Sequence, residues 1–450
     1  MMSVMNKSFQ RRARTSALAA ILLATSQQAL AWSDHASLLW PLLRSQPELL
    51  EARLTTETLD DFVLAEAEGL EAMLKAADAK AIEQIAGYPP LPDDLAFRPN
   101  TDRNLTQQFL AAIRVNPTLP YVLYQQVMPE DARPLGADAV VDITALSFLK
   151  PGMSQQGIQY RQLAVGGQVS PAAVLASGND EPDFGIDIGL FTDNNTEFGL
   201  QYGFGAQPFG NPNLDYGSQA PFHMGFYHLD WLTQKAQPGL LQTYPEWRIF
   251  LFSQLAEYAF STGHEYWGWR FMGWALHYIG DLTQPYHTVP LPGVNTAQAL
   301  WLVVQGKANE AVQLVSNRHG VLESYQLQRM RQDMTAGHWH SPLLAAAADS
   351  APVPTFNSDT VRAALTRESA EASGRLDAQL ETYMPWLFIA DPGFEWSGSS
   401  EEPQLLTLIV EEKGAAAIAA LDGEVAGHLH RFARYAQMWI NHALAMERGR

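Results

Sequence analysis

A chain of 450 residues without a single cysteine has no disulfides, and thiolate zinc fingers and iron–sulfur clusters are excluded with them. Any metal it binds is taken by nitrogen and oxygen ligands. A formal charge of −19 sets the surface against nucleic-acid backbones and anionic membranes unless bound cations intervene.

At the start, Lys7, Arg11, Arg12 and Arg14 precede an apolar run over 17–24 and then the small-residue pattern Ala29-Leu30-Ala31. That order predicts a signal peptide over 1–31 and a secreted or periplasmic mature protein. The Arg11-Arg12 pair resembles a twin-arginine signal too loosely to select the export route. Cleavage after Ala31 exposes Trp32 as the new N-terminus, and losing the four basic residues takes the formal charge to −23. No later segment offers about twenty uninterrupted apolar residues, so no membrane span is expected.

The mature start, 35–54, has apolar residues at mixed three and four spacing and reads as a helix. Pro89-Pro90 closes a helical region, an exposed loop follows to about 104, and 106–115 is helical again. From about 134 to 221 glycine, proline and asparagine are frequent and helical periodicity fades; Asp193-Asn194-Asn195 and Gly210-Asn211-Pro212-Asn213 are turn signals. Two strongly apolar, aromatic helices are predicted over 247–260 and 265–281, separated by Ser261-Thr262-Gly263, and their composition predicts burial. A loop near 341–358 precedes a long amphipathic helix over 421–445. With no internal repeat and no strand series, the expected architecture is all-α: one multi-helix domain over 32–450 with an irregular insertion at about 134–221.

The chemistry concentrates in His277-Tyr278-Ile279-Gly280-Asp281-Leu282-Thr283-Gln284-Pro285-Tyr286-His287. On a helix His277 and Asp281, four apart, project from one face and can grip one ion. Gly280 leaves room for close packing, and Pro285 stops the helix so that His287 turns toward a neighbouring point. His319 and Glu323 repeat the four-residue spacing. Such a pair alone is more often a surface salt bridge. In an aromatic, buried helix, however, an acid and histidines without a cation are costly, which favours ligation. His264, His338, His340, His428 and His430 fall outside the pattern and read as surface or structural histidines; Trp267, Trp269, Phe271 and Trp274 read as helix packing.

The run from His277 to Asp281, then Gln284-Pro285-Tyr286-His287, then His319 and Glu323, resembles the metal signature of bacterial zinc-dependent phospholipases C, whose mature chains also begin with tryptophan. The likeness covers roughly 183–323 and the mature N-terminus. It implies a trinuclear zinc site. Trp32, through its terminal amine and carbonyl, would share one ion with His35 and Asp281; Asp281 would bridge to a second ion that also takes His277; His287, His319 and Glu323 would hold the third. The remaining acid is expected at Asp183, in Glu181-Pro182-Asp183-Phe184, with Asp187 second, and the remaining histidine at His223 or His228.

The implied reaction is phosphodiester hydrolysis of phospholipid head groups, with Asp281 and Asp183 as catalytic groups and Asp183 as a general base. The implied partners are a phospholipid or other phosphodiester and transient contact with a membrane surface, with no protein partner. The related single-strand-specific nucleases are the rival reading. They usually carry aspartate where Glu323 stands, and a Gly-Gly-Asn element where this chain has Leu291-Pro292-Gly293-Val294-Asn295, which favours lipid over nucleic acid. A third reading is an exported binding protein in which zinc only staples the fold.

Overall fold

The computed structural model describes residues 32–99, 104–131, 139–149, 157–355, 357 and 359–448; the expected signal peptide lies outside them. The fold is all-α, with 64% helix and 4% strand. The helices that build the candidate site and its surroundings are α1 (His35–Arg44), α2 (Pro171–Asp180), α3 (Asp215–His223), α4 (Trp231–Ala236), α5 (Pro245–Thr262), α6 (Glu265–Thr283), α7 (Thr296–Val304), α8 (Ala308–Thr335), α9 (Pro342–Ala348), α10 (Thr366–Tyr383) and α11 (Ala415–Arg448). Among the described residues no helix is long and apolar enough to cross a membrane.

Helix α6 is the axle of the molecule. Every residue from Tyr266 to Thr283 is buried, which is what a helix apolar around its whole circumference requires. Gly263, in the left-handed region at φ 93°, ends α5 and reverses the chain into α6. At the other end the helical geometry stops at Gln284, before Pro285. Trp267, Trp269, Phe271 and Trp274 are fully buried, and cutting any one of them to alanine is expected to cost about 3–5 kcal/mol.

Helices α5, α2 and α11 pack around this axle, with α1 against α2 and α9 against α11. The α2–α6 crossing is unusually close. A Cβ on Gly178 would lie 2.9 Å from the Arg270 carbonyl oxygen, and one on Gly273 would lie 2.9 Å from the Asn179 amide nitrogen. The two backbones therefore touch, and the C-terminal end of α2, with Asn179, Asp180, Glu181 and Asp183 just beyond, is drawn alongside His277.

Among the described residues, strand content is confined to an antiparallel sheet of order β2–β4–β3 (Tyr124–Val127, Gln159–Gln162, Val140–Val141) and a β1–β5 pair (Leu54–Thr55, Gln168–Val169). Tyr124 faces Gln162 and Val127 faces Gln159. The sheet docks on α2 where the Gln126 amide donates to Ser177 Oγ at 2.9 Å.

Three elements differ from the sequence reading. The helix expected over 35–54 ends at Arg44, and a short helix, Pro47–Glu51, follows the break. The loop expected near 341–358 contains α9, begun by Pro342 at its first position. The region expected to be irregular, 134–221, holds β3, β4 and β5 and, more importantly, α2 and α3. Helix α2 escaped notice because it is buried at nearly every position, so its sequence has no polar face to set a period. Only its start is marked locally, by Ser170 capping the Ala173 amide and by Pro171 at the first position.

Candidate metal centre

The last turn of α6 delivers His277 and Asp281 to one face, and the segments around it close on that pair. Trp32 docks first: its indole Nε1 donates to the Gly280 carbonyl at 3.2 Å and to Thr283 Oγ1 at 3.3 Å. Asp34 then caps α1, accepting from the Ser37 amide at 3.0 Å, and His35 enters the helix with its backbone held from both sides. Its amide donates to Asp180 Oδ1 at 2.9 Å and its carbonyl accepts from Asn179 Nδ2 at 2.7 Å. The imidazole lies over Gly280, where a Cβ would sit 3.0 Å from His35 Nδ1, so a residue without a side chain makes room for the ring.

Three sets of buried side chains result that could hold a metal ion: His35, His277 and Asp281; Asp183, His223 and His277; and His287, His319 and Glu323. Asp281 stands between the first two. Its Oδ1 is 3.4 Å from His35 Nε2, while its Oδ2 is 2.9 Å from His223 Nδ1 and 3.6 Å from His277 Nε2. Asp183 lies opposite, with Oδ1 3.7 Å from His277 Nε2 and 4.0 Å from His223 Nδ1, and Oδ2 3.8 Å from His35 Nε2. In the third set His287 Nε2 is 3.1 Å from His319 Nε2, which is 2.7 Å from Glu323 Oε1. Two atoms bound about 2.0–2.1 Å from a tetrahedral zinc lie roughly 3.3 Å apart, so these separations suit that donor geometry.

In two of the rings the second nitrogen is held by a carbonyl that fixes the tautomer. His277 Nδ1 faces the Asn179 carbonyl at 2.9 Å and His287 Nδ1 faces the His223 carbonyl at 2.7 Å. A carbonyl can only accept, so each Nδ1 carries the proton and each Nε2 turns its lone pair to the centre. His223 presents Nδ1 instead. Its Nε2 lies 3.5 Å from Asp187 Oδ2, and Asp187 itself accepts from Arg248 Nε at 2.8 Å and from the Tyr278 hydroxyl at 2.5 Å.

The electrostatics set this cluster apart. Among the described residues no ion pair joins Asp183, Asp281 or Glu323 to a lysine or arginine. Both nitrogens of His35, Asp183 Oδ1 and Asp281 Oδ1 are buried without a hydrogen-bond partner, an arrangement that costs free energy unless something else satisfies them. Burial, then the neighbouring histidines, holds His35 and His277 well below the usual imidazole pKa. Burial, then Asp281 and other acids, pushes Asp183 well up, and burial followed by Asp183 and Asp281 does the same to Glu323. Asp281 is pushed up to about 6 by burial, against the pull of His223. Neutral imidazoles and crowded carboxylates ask for the same missing partner, a cation among nitrogen and oxygen donors.

Of the residues singled out in the sequence, His35, Asp183, His223, His277, Asp281, His287, His319 and Glu323 converge here. Trp32 reaches the same turn through its indole; the amine that cleavage would free depends on residues 1–31, outside the described part. His228 does not join them. Helix α3 ends at His223 and the chain leaves in extended geometry at Met224, so His228 instead meets Thr366 of α10, its Nε2 2.9 Å from the Oγ1. Asp187, the second choice for the acid, lies one layer back, behind His223. Sequence reasoning missed Asn179, Asp180, Arg248 and Tyr278, whose roles arise only from the glycine-mediated crossing of α2 on α6 and from α5 packing beside it.

Compared with family models, with curated proteins and with solved structures, the chain finds no match.

Proposed function

We propose that the chain is an exported zinc-dependent phosphodiester hydrolase, a phospholipase C acting on phospholipid head groups, with three ions held by the three sets. The observation that carries this reading is Asp281, whose two oxygens face different histidines, as one carboxylate shared by two ions requires. Zinc bound there supplies Lewis acidity, lowering the pKa of water toward neutrality and offsetting phosphate charge.

The chain's own residues do the rest. Asp183 turns Oδ1 toward His277 and His223 as a ligand, and its other oxygen, Oδ2, where it stays off an ion, would accept a proton as general base. Asp187, gripped by Arg248 and Tyr278, stands 3.5 Å behind His223 Nε2, and the Asn179 carbonyl accepts from His277 Nδ1 and holds that ring in register. The burial of the inner sets keeps bulk water out, which strengthens each charge–charge contact. A mature chain at −23 repels a polyanion, so a head-group phosphodiester is favoured over nucleic acid.

Metal analysis of the mature protein, with parallel assays on a choline phosphodiester and single-stranded DNA before and after chelation, tests this. The expected result is bound zinc and choline-ester hydrolysis that disappears on chelation and returns with zinc. Hydrolysis of DNA alone would transfer the chain to the nuclease reading. Tightly bound metal with neither activity would leave zinc as a staple, and activity indifferent to metal removal would end the proposal.

A further inference from the structure

Helix α3 reaches the candidate metal centre with its last residue, His223, and one whole face of the helix comes with it. Pro221 has no amide to offer the Gly217 carbonyl, and Gln207 Nε2 donates there at 2.7 Å instead, so the helix continues to His223 in spite of the proline. Tyr216, Gln219 and His223, three and then four residues apart, therefore lie along a single face. Gln219 and His223 repeat the four-residue spacing that pairs His277 with Asp281 and His319 with Glu323. His223 turns Nδ1 to Asp281 and Asp183, so this face borders the centre.

Gln219 is wholly buried, and its amide nitrogen and its carbonyl oxygen are both without a hydrogen-bond partner. A primary amide left in that state costs free energy that an apolar side chain of the same size would not. It is as buried as His223, His277 and Asp281, the ligand candidates beside it. Tyr216, by contrast, is half-buried. Burial, then Asp183, Asp180 and Glu323, pushes its phenol well above the ordinary value, so members of the second and third sets face it and the hydroxyl keeps its proton.

What this face adds to the centre is hydrogen-bond donors. The His277 and His287 rings turn lone pairs inward, and Asp183, Asp281 and Glu323 accept only when ionised. The phosphoryl oxygens of an ionised phosphodiester are likewise acceptors. Cations in the three sets meet some of those oxygens, and any other needs an N–H or an O–H. We propose that Tyr216 and Gln219 form a phosphate-binding wall of the candidate metal centre, Gln219 Nε2 and the Tyr216 hydroxyl donating to phosphoryl oxygens of the bound ester. Both donors are neutral, so the wall adds direction without charge and suits the single negative charge of a diester. The identity of the ester rests on the hydrolase reading; the anion-binding wall rests on α3.

The test uses the full mature chain, loaded with zinc and freed of excess ion, and inorganic phosphate as the probe in titration calorimetry. Wild type is expected to bind phosphate, and Tyr216→Phe and Gln219→Met each to bind it about ten-fold more weakly, the loss of one hydrogen bond to a charged group. Zinc content should stay at the wild-type value in both. Gln219→Met should also melt no lower than wild type, since it removes two buried polar atoms that the fold itself leaves unpaired. Affinity unchanged in either variant would overturn the proposal, and so would loss of zinc from either, which would assign that residue to holding the ligands. A wild-type protein that binds no phosphate would overturn it as well. Hydrolysis of the choline phosphodiester alongside any of these failures would leave the hydrolase reading in place. Weakened phosphate binding in both variants of a protein that cleaves no ester would uphold the wall and reject the catalytic reading.

Discussion

Two groups of buried acids lie on and around α6 and are treated in opposite ways. Glu181 meets Arg270 at 2.6 Å and Asp187 meets Arg248, so each carboxylate has a guanidinium supplied by the chain itself. Asp183, which lies between them in sequence, has histidines as its ion-pair partners among the described residues, as do Asp281 and Glu323. Among the described residues, the same fold that places an arginine beside one acid brings no lysine or arginine to its near neighbour. The difference separates acids that hold the scaffold from acids that await a partner, and it can be broken from either side.

The largest effect is expected from Asp281→Asn. Losing the shared carboxylate should lower metal affinity and turnover by more than about 100-fold, since even groups one layer removed from a metal typically cost 10–100-fold. The chelated variant should nevertheless melt no lower than chelated wild type. A carboxyl pushed up to about 6 is destabilising when ionised at neutral pH, and asparagine removes that charge. A chelated variant that melts well below wild type, with metal content unchanged, would contradict this account.

On the compensated side, Arg248→Met should behave in the reverse manner. Asp187 would be left buried without its cation, at a cost of about 3–5 kcal/mol read as a lower urea midpoint whether or not metal is present. Metal content should fall less than in Asp281→Asn, through a loosened His223. Equal stability of variant and wild type would show that the guanidinium is not what Asp187 requires.

This contrast was only half legible in the sequence. Helical spacing made His277 with Asp281, and His319 with Glu323, readable as pairs on one face, and Pro285 announced the turn that frees His287. Gly263 and Pro285 likewise marked the ends of α6. What could not be read was which acids have arginines. Arg248 and Arg270 are far from Asp187 and Glu181 in sequence; the second pair depends on α2 crossing α6 at Gly178 and Gly273, and the first on α5, which carries Arg248, packing beside α6, contacts with no local signature. The choice between His223 and His228 was illegible for a related reason: it turns on where a nine-residue helix containing Pro221 stops.

Titration sharpens the comparison at intermediate scale. The raised pKa values of Asp183, Asp281 and Glu323 mean that these carboxyls contribute stability to the metal-free fold below about pH 4 and lose it as pH rises, for Asp281 through about 6. The lowered values of His35 and His277 act oppositely, giving stability above about 6.5 that is lost as pH falls through their folded values. A metal ion needs all of these groups deprotonated, so its binding should release protons and weaken as pH falls from 7 to 5. The gap in melting temperature between metal-loaded and chelated protein should therefore widen with rising pH over that interval. A gap independent of pH would mean that the buried acids are not displaced from their protons by metal.

The smallest and most local change is Gly280→Ala. The added methyl would sit 3.0 Å from His35 Nδ1 and 3.4 Å from Phe432 Cε2, so the ring must yield, at a cost of about 1–3 kcal/mol for an overpacked site. Because the atoms nearest such a methyl belong to His35 and Phe432, the variant should lose metal from the His35 set while the third set keeps its own. Metal-to-protein ratio measured after mild dialysis separates the outcomes. A fall by one ion with the remainder retained is the expected result, and it would show that the three sets bind as distinguishable sites. Loss of all metal together would instead mean that Asp281 couples them so tightly that His35 cannot be disturbed alone.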